Sequence, residues 1–109
     1  MITWDDFTKV DIRCGTILSV QAFPKAKKPA FQLSIDFGPL GIKKSSAQIT
    51  HHYTIDNLVG KQIIAVVNFP PKQIANFVSE CLVLGVYDEA HEVVLLHPSL
   101  PVTNGQPIG

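Results

Sequence analysis

Hydrophobic and polar residues alternate along the first half of this chain, which is the pattern of β-strands that bury one face. The alternation begins at residues 10–23, where Gly15 in the interior predicts a bend or bulge at which a sheet curls toward closure. A second alternating run covers residues 31–37, and residues 42–49 return after the turn at 38–41 as its hairpin partner. These runs predict an antiparallel sheet with a curved first strand.

Two short and almost continuous apolar runs mark the second half of the chain. Residues 63–67 and 81–86 are rich in β-branched and aliphatic side chains, and their length favours strands buried on both faces. Pro70 and Pro71 lie between them and cannot donate to a sheet ladder, so we expect a polar loop that leaves the core and returns to it. Residues 93–96 predict a last strand.

Capping residues predict two short helices. Thr3 and Asp6 have the spacing of a capping box, so a helix is expected at residues 4–9, and Thr54 predicts a second helix at residues 54–58. The first helix is too short to be stable alone, so it must dock on the domain or on a second subunit.

The order of these elements predicts the fold class. A mainly all-β chain of five or six short strands, with a helix after the third, fits a five-stranded OB-fold barrel with a short N-terminal helix and one or two short helices. A β-sandwich is the alternative, although sandwiches usually need more strands or a longer chain. The length of 109 residues predicts a single domain, residues 1–109, with one core.

Composition narrows the class of protein. With 46% hydrophobic and 17% charged residues, the chain is expected to be globular. No apolar run reaches about 18 residues and the N-terminus lacks a signal-peptide pattern, so we expect no membrane insertion and a cytoplasmic location. Cys14 and Cys81 lack CxxC spacing and the four histidines lack ligand spacing, so neither a metal site nor a cofactor is predicted.

Charge is unevenly distributed although the formal net charge is zero. Residues 25–72 contain seven lysines against Asp36 and Asp56, and this segregation can create a local positive field. The alternative is that these lysines are solvated and do not converge. The predicted strand at 42–49 has two lysines followed by small hydroxyl and amide groups, which allow close approach to a phosphate. Alternatively, the segment 42–49 is an edge strand whose lysines protect it from aggregation.

Four separated segments resemble the tRNA-binding domain found in C-terminal extensions of methionyl-tRNA synthetases and in related proteins. They are residues 6–15, 45–49, 68–72 and 79–80. The continuation at residues 81–85 is similar to members of the CsaA type, which are bacterial and archaeal secretion chaperones. The resemblance implies an OB-fold homodimer without catalytic activity. It also implies an RNA-binding surface formed by Lys43, Lys44, Ser45, Ser46, Gln48, Asn68, Lys72, Ser79 and Glu80.

Two features depart from the family pattern, namely the loop after Pro71 and the residue at position 76. Lys72 and Gln73 follow Pro71 where the family is richer in arginine, which is expected to lower both the RNA affinity and its dependence on salt. Asn76 stands where the family usually has glycine, and asparagine tolerates a left-handed backbone better than most residues.

The favoured function is that of a non-catalytic, CsaA-like protein-export chaperone that binds unfolded or preprotein peptides and also tRNA. In this interpretation Phe23, Phe77 and Val78 are candidate peptide contacts, while Trp4 and Phe7, three residues apart on one helix face, are candidate dimer-interface residues. The alternative is a dedicated module for tRNA or other structured RNA that acts in trans with an aminoacyl-tRNA synthetase. An enzyme is not predicted, because the motifs contain no Ser/His/Asp order, paired carboxylates or glycine-rich phosphate loop.

Overall fold

All residues, 1–109, are described by a computed structural model of the chain. Two short helices, α1 (Trp4–Thr8) and α2 (Ile55–Leu58), accompany nine strands. The strands are β1 (Ile12–Ala22), β2 (Phe31–Asp36), β3 (Ile42–Ala47), β4 (Gln62–Val66), β5 (Lys72–Ile74), β6 (Phe77–Ser79), β7 (Leu82–Val83), β8 (Gly85–Tyr87) and β9 (Val93–Leu95). No helix combines the length and the apolarity that a membrane crossing requires.

A five-stranded antiparallel sheet in the order β3-β2-β1-β4-β7 forms the body of the protein. The long strand β1 holds it together, because its first half pairs with β4 and its second half pairs with β2. The outer edge of β3 meets the end of β6 and the residue that follows it, so the sheet curls into a nearly closed barrel. The predicted mainly β, OB-like barrel with short helices is therefore confirmed.

The bulge in β1 lies at Leu18 and not at Gly15, where the sequence predicts it. The register between β1 and β2 shifts between Ile17 and Ser19, which leaves Leu18 as the extra residue. Gly15 serves a different purpose, since a Cβ at this position would lie 2.7 Å from Cδ1 of Phe37. The glycine lets the fully buried ring of Phe37 pack directly on the strand.

The second half of the chain differs most from its prediction. The segment predicted as a polar loop contains the hairpin of β5 and β6, which begins directly after Pro71. The left-handed position of its turn is Ala75, with a φ of 51°, and not Asn76. The run predicted as one strand at 81–86 is divided, because β8 leaves the barrel sheet and pairs only with β9. Gly85 permits this close crossing, since a Cβ there would lie 2.5 Å from Cγ1 of Val93.

Inward side chains of the barrel strands form one core. Ile17, Leu33, Ile35 and Ile63 are fully buried, and Leu58 of α2 belongs to the same cluster. Burial of each such side chain contributes about 1.5–3 kcal/mol relative to exposure. No buried side-chain nitrogen or oxygen lacks a hydrogen-bond partner. The barrel is thus the rigid base from which the surface loops project.

Both predicted helix caps are present. Oγ1 of Thr3 accepts the N–H of Asp6 at 3.2 Å, and the Asp6 carboxylate accepts the N–H of Thr3 at 3.0 Å. Thr54 and Asn57 cap α2 in the same reciprocal way. No residue of α1 is buried, and Trp4 is 78% exposed. Phe7 is half-buried, so Trp4 is the apolar residue of α1 that its own chain leaves uncovered.

The C-terminal residues 104–108 run along the first half of β1. The N–H of Gly105 donates to the carbonyl of Cys14 at 2.7 Å, and the N–H of Cys14 donates to the carbonyl of Gln106 at 3.0 Å. Nη1 of Arg13 donates to the carbonyl of Gly105 at 2.9 Å. The hydrogen bond from Arg13 to the Asp11 carboxylate raises the pKa of the guanidinium, so Arg13 stays charged where it binds the C-terminal residues.

Candidate nucleic-acid interface

A large open groove, with a volume of about 1640 Å³, lies beside the barrel. It is lined by the loop of residues 25–30, by residues 46–51 at the end of β3, and by parts of segments 69–75 and 79–93. Residues that are far apart in the sequence thus share one concave surface, which is the usual form of a ligand site.

Four lysines line this groove. They are Lys25, Lys27, Lys28 and Lys72. All four are exposed, and none has a carboxylate within 4.0 Å, because the three ion pairs of the protein involve Arg13, His51 and His52. Their charges are not neutralised by neighbours, so they create a positive field that attracts phosphate groups.

The loop that carries three of these lysines is anchored at both ends. Phe23 and Ala30 are buried, and the N–H of Phe23 donates to the carbonyl of Ala30 at 3.2 Å. Pro24 and Pro29 bracket the lysines and restrict the backbone further. An anchored loop has less conformational freedom to lose when a ligand binds.

Ser79 and Glu80 close the barrel against the outer edge of β3. Oε1 of Glu80 accepts the N–H of Lys44 at 2.9 Å, and the N–H of Glu80 donates to the carbonyl of Lys44 at 2.7 Å. Oγ of Ser79 accepts the N–H of Ser46 at 3.2 Å. We call these contacts the barrel seam. They satisfy backbone groups that would otherwise form an unpaired strand edge.

Ser45 and Cys81 lie behind the seam. Ser45 is 1% exposed, and its Oγ donates to the carbonyl of Cys81 at 3.1 Å, which leaves Ser45 no surface for RNA. Burial raises the pKa of Cys81 to about 11. Its thiol therefore stays protonated at neutral pH and is not a nucleophile.

Three further residues of the predicted RNA-binding set lie outside the groove. Lys43 and Lys44 are adjacent on β3 and so point to opposite faces of the sheet, and neither borders the groove. Asn68 borders a separate cavity of about 440 Å³. Its Oδ1 accepts the N–H of Asp11 at 3.0 Å, and its Nδ2 donates to the carbonyl of Lys9 at 2.7 Å. Both ends of this amide are occupied by the backbone that follows α1.

The groove therefore collects only part of the predicted RNA-binding set. The residues it brings together are Ser46, Gln48, Lys72, Ser79 and Glu80. Lys25, Lys27 and Lys28 belong to the basic segment 25–72 but not to the predicted RNA-binding set, although a run of lysines between two prolines is the signal that marks them.

The predicted peptide contacts are divided between the core and the surface. Phe23 is 4% exposed, and its ring packs at 5.5 Å from the half-buried ring of Phe77. Val78 is the exposed member of the three.

The predicted dimer residues Trp4 and Phe7 contact each other edge to face, with ring centroids 5.9 Å apart.

Carboxylates and histidines lie near another part of the groove. The N–H of Glu92 lowers the pKa of Asp88 most, and His52, whose Nε2 lies 2.6 Å from Oδ2, lowers it further. His51 lies 4.0 Å from Oε1 of Glu92. No group of three or more His, Cys, Asp or Glu side chains is arranged to hold a metal ion.

Comparison with known proteins assigns the chain to a family. The family model described as "Putative tRNA binding domain" matches residues 12–107. The chain belongs to the tRNA-binding domain family. Every strand of the barrel lies within the matched residues, so the resemblance read from the sequence is confirmed.

The tRNA-binding domain recurs in larger relatives. The methionine–tRNA ligase of Methanococcoides burtonii is 34% identical over 105 residues, which are 96% of this chain and 15% of that protein. The methionine–tRNA ligase of Bacteroides fragilis is 36% identical over 107 residues, or 98% of this chain and 16% of the relative. The chain thus spans about a sixth of the length of these relatives.

Solved structures of similar length share the whole fold. The crystal structure of the chaperone CsaA from Bacillus anthracis is 51% identical with a TM-score of 0.95, covering 100% of this chain and 99% of that one. The CsaA chaperone protein from Picrophilus torridus is 55% identical with a TM-score of 0.94, covering 100% of both chains.

Proposed function

We propose that this protein binds tRNA or another structured RNA in the groove and catalyses no reaction. The observation that carries the proposal is the set of four groove lysines without carboxylate partners, in a chain of the tRNA-binding domain family. Lysines contact phosphates as point charges and fix the position of an RNA without reading its sequence. Ser46 and Gln48 add hydroxyl and amide groups that suit ribose and phosphate oxygens.

The number of lysines sets the expected salt dependence. With a slope of about −0.9 per phosphate contact, four contacts predict a roughly 150-fold loss of affinity between about 50 and 200 mM salt. One remaining contact predicts a roughly 4-fold loss over the same range.

The test is a filter-binding titration of tRNA at several salt concentrations. The triple variant Lys25→Gln, Lys27→Gln, Lys28→Gln should bind weakly and show the flattened slope. The control Lys43→Gln with Lys44→Gln removes two charges outside the groove, against three in the triple variant, and should keep a slope near that of the unmodified protein. A flattened slope in the control but not in the triple variant would indicate that RNA binds at β3 instead of in the groove. Failure of the unmodified protein to retain tRNA at low salt would refute RNA binding altogether.

A second candidate function is that of a CsaA-like protein-export chaperone that binds unfolded or preprotein peptides. Two observations favour it: the groove contains exposed apolar groups, with Phe69 at 55% and Leu82 at 48% exposure, and the similar solved structures are described as chaperones. Binding of a reduced, unfolded model protein by the lysine triple variant tests it. Retained binding supports a peptide site that is independent of RNA, and absence of binding by the unmodified protein removes this candidate.

The proposal includes a homodimer in the cytoplasm, with residues 1–109 acting as one domain. Trp4 and Phe7 are its proposed contacts, because no residue of α1 is buried and a second subunit would bury these apolar side chains. Equilibrium sedimentation of the protein and of Trp4→Ala tests the dimer, and a monomer at micromolar concentration would rule it out. The alternative assignment is a dedicated tRNA-binding module that acts with an aminoacyl-tRNA synthetase, and co-purification of such an enzyme from cells distinguishes it.

A further inference from the structure

The turn between β8 and β9 presents two stacked rings to the groove. Tyr87 and His91 have ring centroids 4.0 Å apart and an interplanar angle of 10°. Both side chains line the groove, and Tyr87 is 63% exposed. Each ring covers one face of the other, so the outer face of the pair is the surface left for a ligand, on the outside of the molecule and away from the buried core.

The turn holds these rings in place. His91 has a φ of 62°, an uncommon left-handed conformation for a residue other than glycine, and such conformations persist only where surrounding contacts hold them. Oδ1 of Asp88 accepts the N–H groups of Ala90 and Glu92, both at 2.9 Å, and the N–H of His91 donates to the carbonyl of Asp88 at 3.0 Å. The turn is therefore preorganised, and little freedom is lost when a ligand stacks on it.

A second tie fixes the turn to the rest of the protein. Nε2 of His52 lies 2.6 Å from Oδ2 of Asp88, which links the turn to the segment that precedes α2. On β9, the N–H of Leu95 donates to the hydroxyl of Tyr53 at 2.9 Å. The aromatic pair thus keeps its position relative to the barrel and to the groove.

We propose that Tyr87 and His91 form a stacking platform for an unpaired base of the bound RNA. The inference rests on the proposed RNA-binding function, and it adds a preference for RNA with a single-stranded segment. A base inside a duplex has both faces covered by its neighbours, and a base at a blunt end stays paired with the opposite strand, so only an unpaired base is free to turn one face onto the rings. The groove lysines supply phosphate contacts that every RNA in the groove shares, and the platform adds a contact to an unpaired base.

The test compares two RNAs that differ only in a single-stranded overhang. One is a blunt-ended duplex, and the other is the same duplex with four unpaired nucleotides at one 3′ end. Since stacking of one base on an aromatic side chain strengthens binding by about 5- to 150-fold, the unmodified protein should prefer the second RNA by a factor in that range. Tyr87→Ala should abolish this preference, while Tyr87→Phe, which keeps the ring, should retain it. His91→Gly removes the other ring without straining the left-handed backbone and should reduce the preference.

The outcomes separate this inference from the proposed function. The lysine triple variant should weaken binding of both RNAs and keep the preference for the overhang. Equal affinity of the unmodified protein for the two RNAs, or an unchanged preference in Tyr87→Ala, would overturn the platform and leave RNA binding intact. Absence of binding to either RNA at low salt would overturn both.

Discussion

Glu80 provides a sharp test of whether a groove residue stabilises the barrel or contacts RNA. Its Oε1 accepts the N–H of Lys44 at 2.9 Å in the barrel seam. A hydrogen bond to a charged group contributes about 1.5–3 kcal/mol when it is buried. The seam lies at the surface, where water replaces part of the lost bond, so we expect Glu80→Ala to lower the free energy of unfolding by about 1 kcal/mol. Glu80→Gln keeps an oxygen acceptor and should lose less than about 0.5 kcal/mol.

Thermal unfolding converts this difference into a measurable shift. At about 2.1 cal/mol/K per residue, a chain of this length has an unfolding entropy of about 0.23 kcal/mol/K, so about 1 kcal/mol lowers Tm by roughly 4 °C. The tRNA affinity of Glu80→Gln should equal or exceed that of the unmodified protein, because a negative charge leaves the phosphate-binding groove. The seam role of Glu80 is refuted if Glu80→Ala keeps its Tm while both variants bind tRNA more weakly.

Three further variants test individual parts of the fold. Ala75→Gly should raise the free energy of unfolding by about 0.5–1 kcal/mol in urea titrations, because glycine adopts the left-handed φ of 51° without strain. The control Asn76→Gly, at a position without a positive φ, should not. The pKa of Asp88 is lowered from 3.8 by folding, so its contribution to stability is complete above that value and is lost as the pH falls through the lowered pKa. Asp88→Asn should therefore lose less stability than the unmodified protein as the pH falls below 3.8, and parallel losses would contradict this assignment. Gly15→Ala should cost about 1–3 kcal/mol through its clash with Phe37, and simple additivity with Phe37→Leu would exclude that clash as the cause.

The sequence alone determined the barrel and its helices, because the signals for them are local. Alternation at residues 31–37 places Leu33 and Ile35 on one buried face, and this period of two is a property of the extended backbone itself. The capping box of Thr3 and Asp6 likewise spans only three residues. The family likeness also followed from short segments in a fixed order, and the matched residues 12–107 confirm it.

The tertiary structure decided which polar residues face the groove. Glu80 bonds to a residue 36 positions away, and Asn68 bonds to one 57 positions away. A sequence shows that such side chains are polar, but it does not show whether a distant backbone group or a ligand satisfies them. The same holds for charge: Lys43 and Lys44 are neighbours in the sequence and point apart, whereas Lys28 and Lys72 are distant and line one groove. Hydrogen bonds and electrostatic fields depend on distance in space, and only the closed barrel sets those distances.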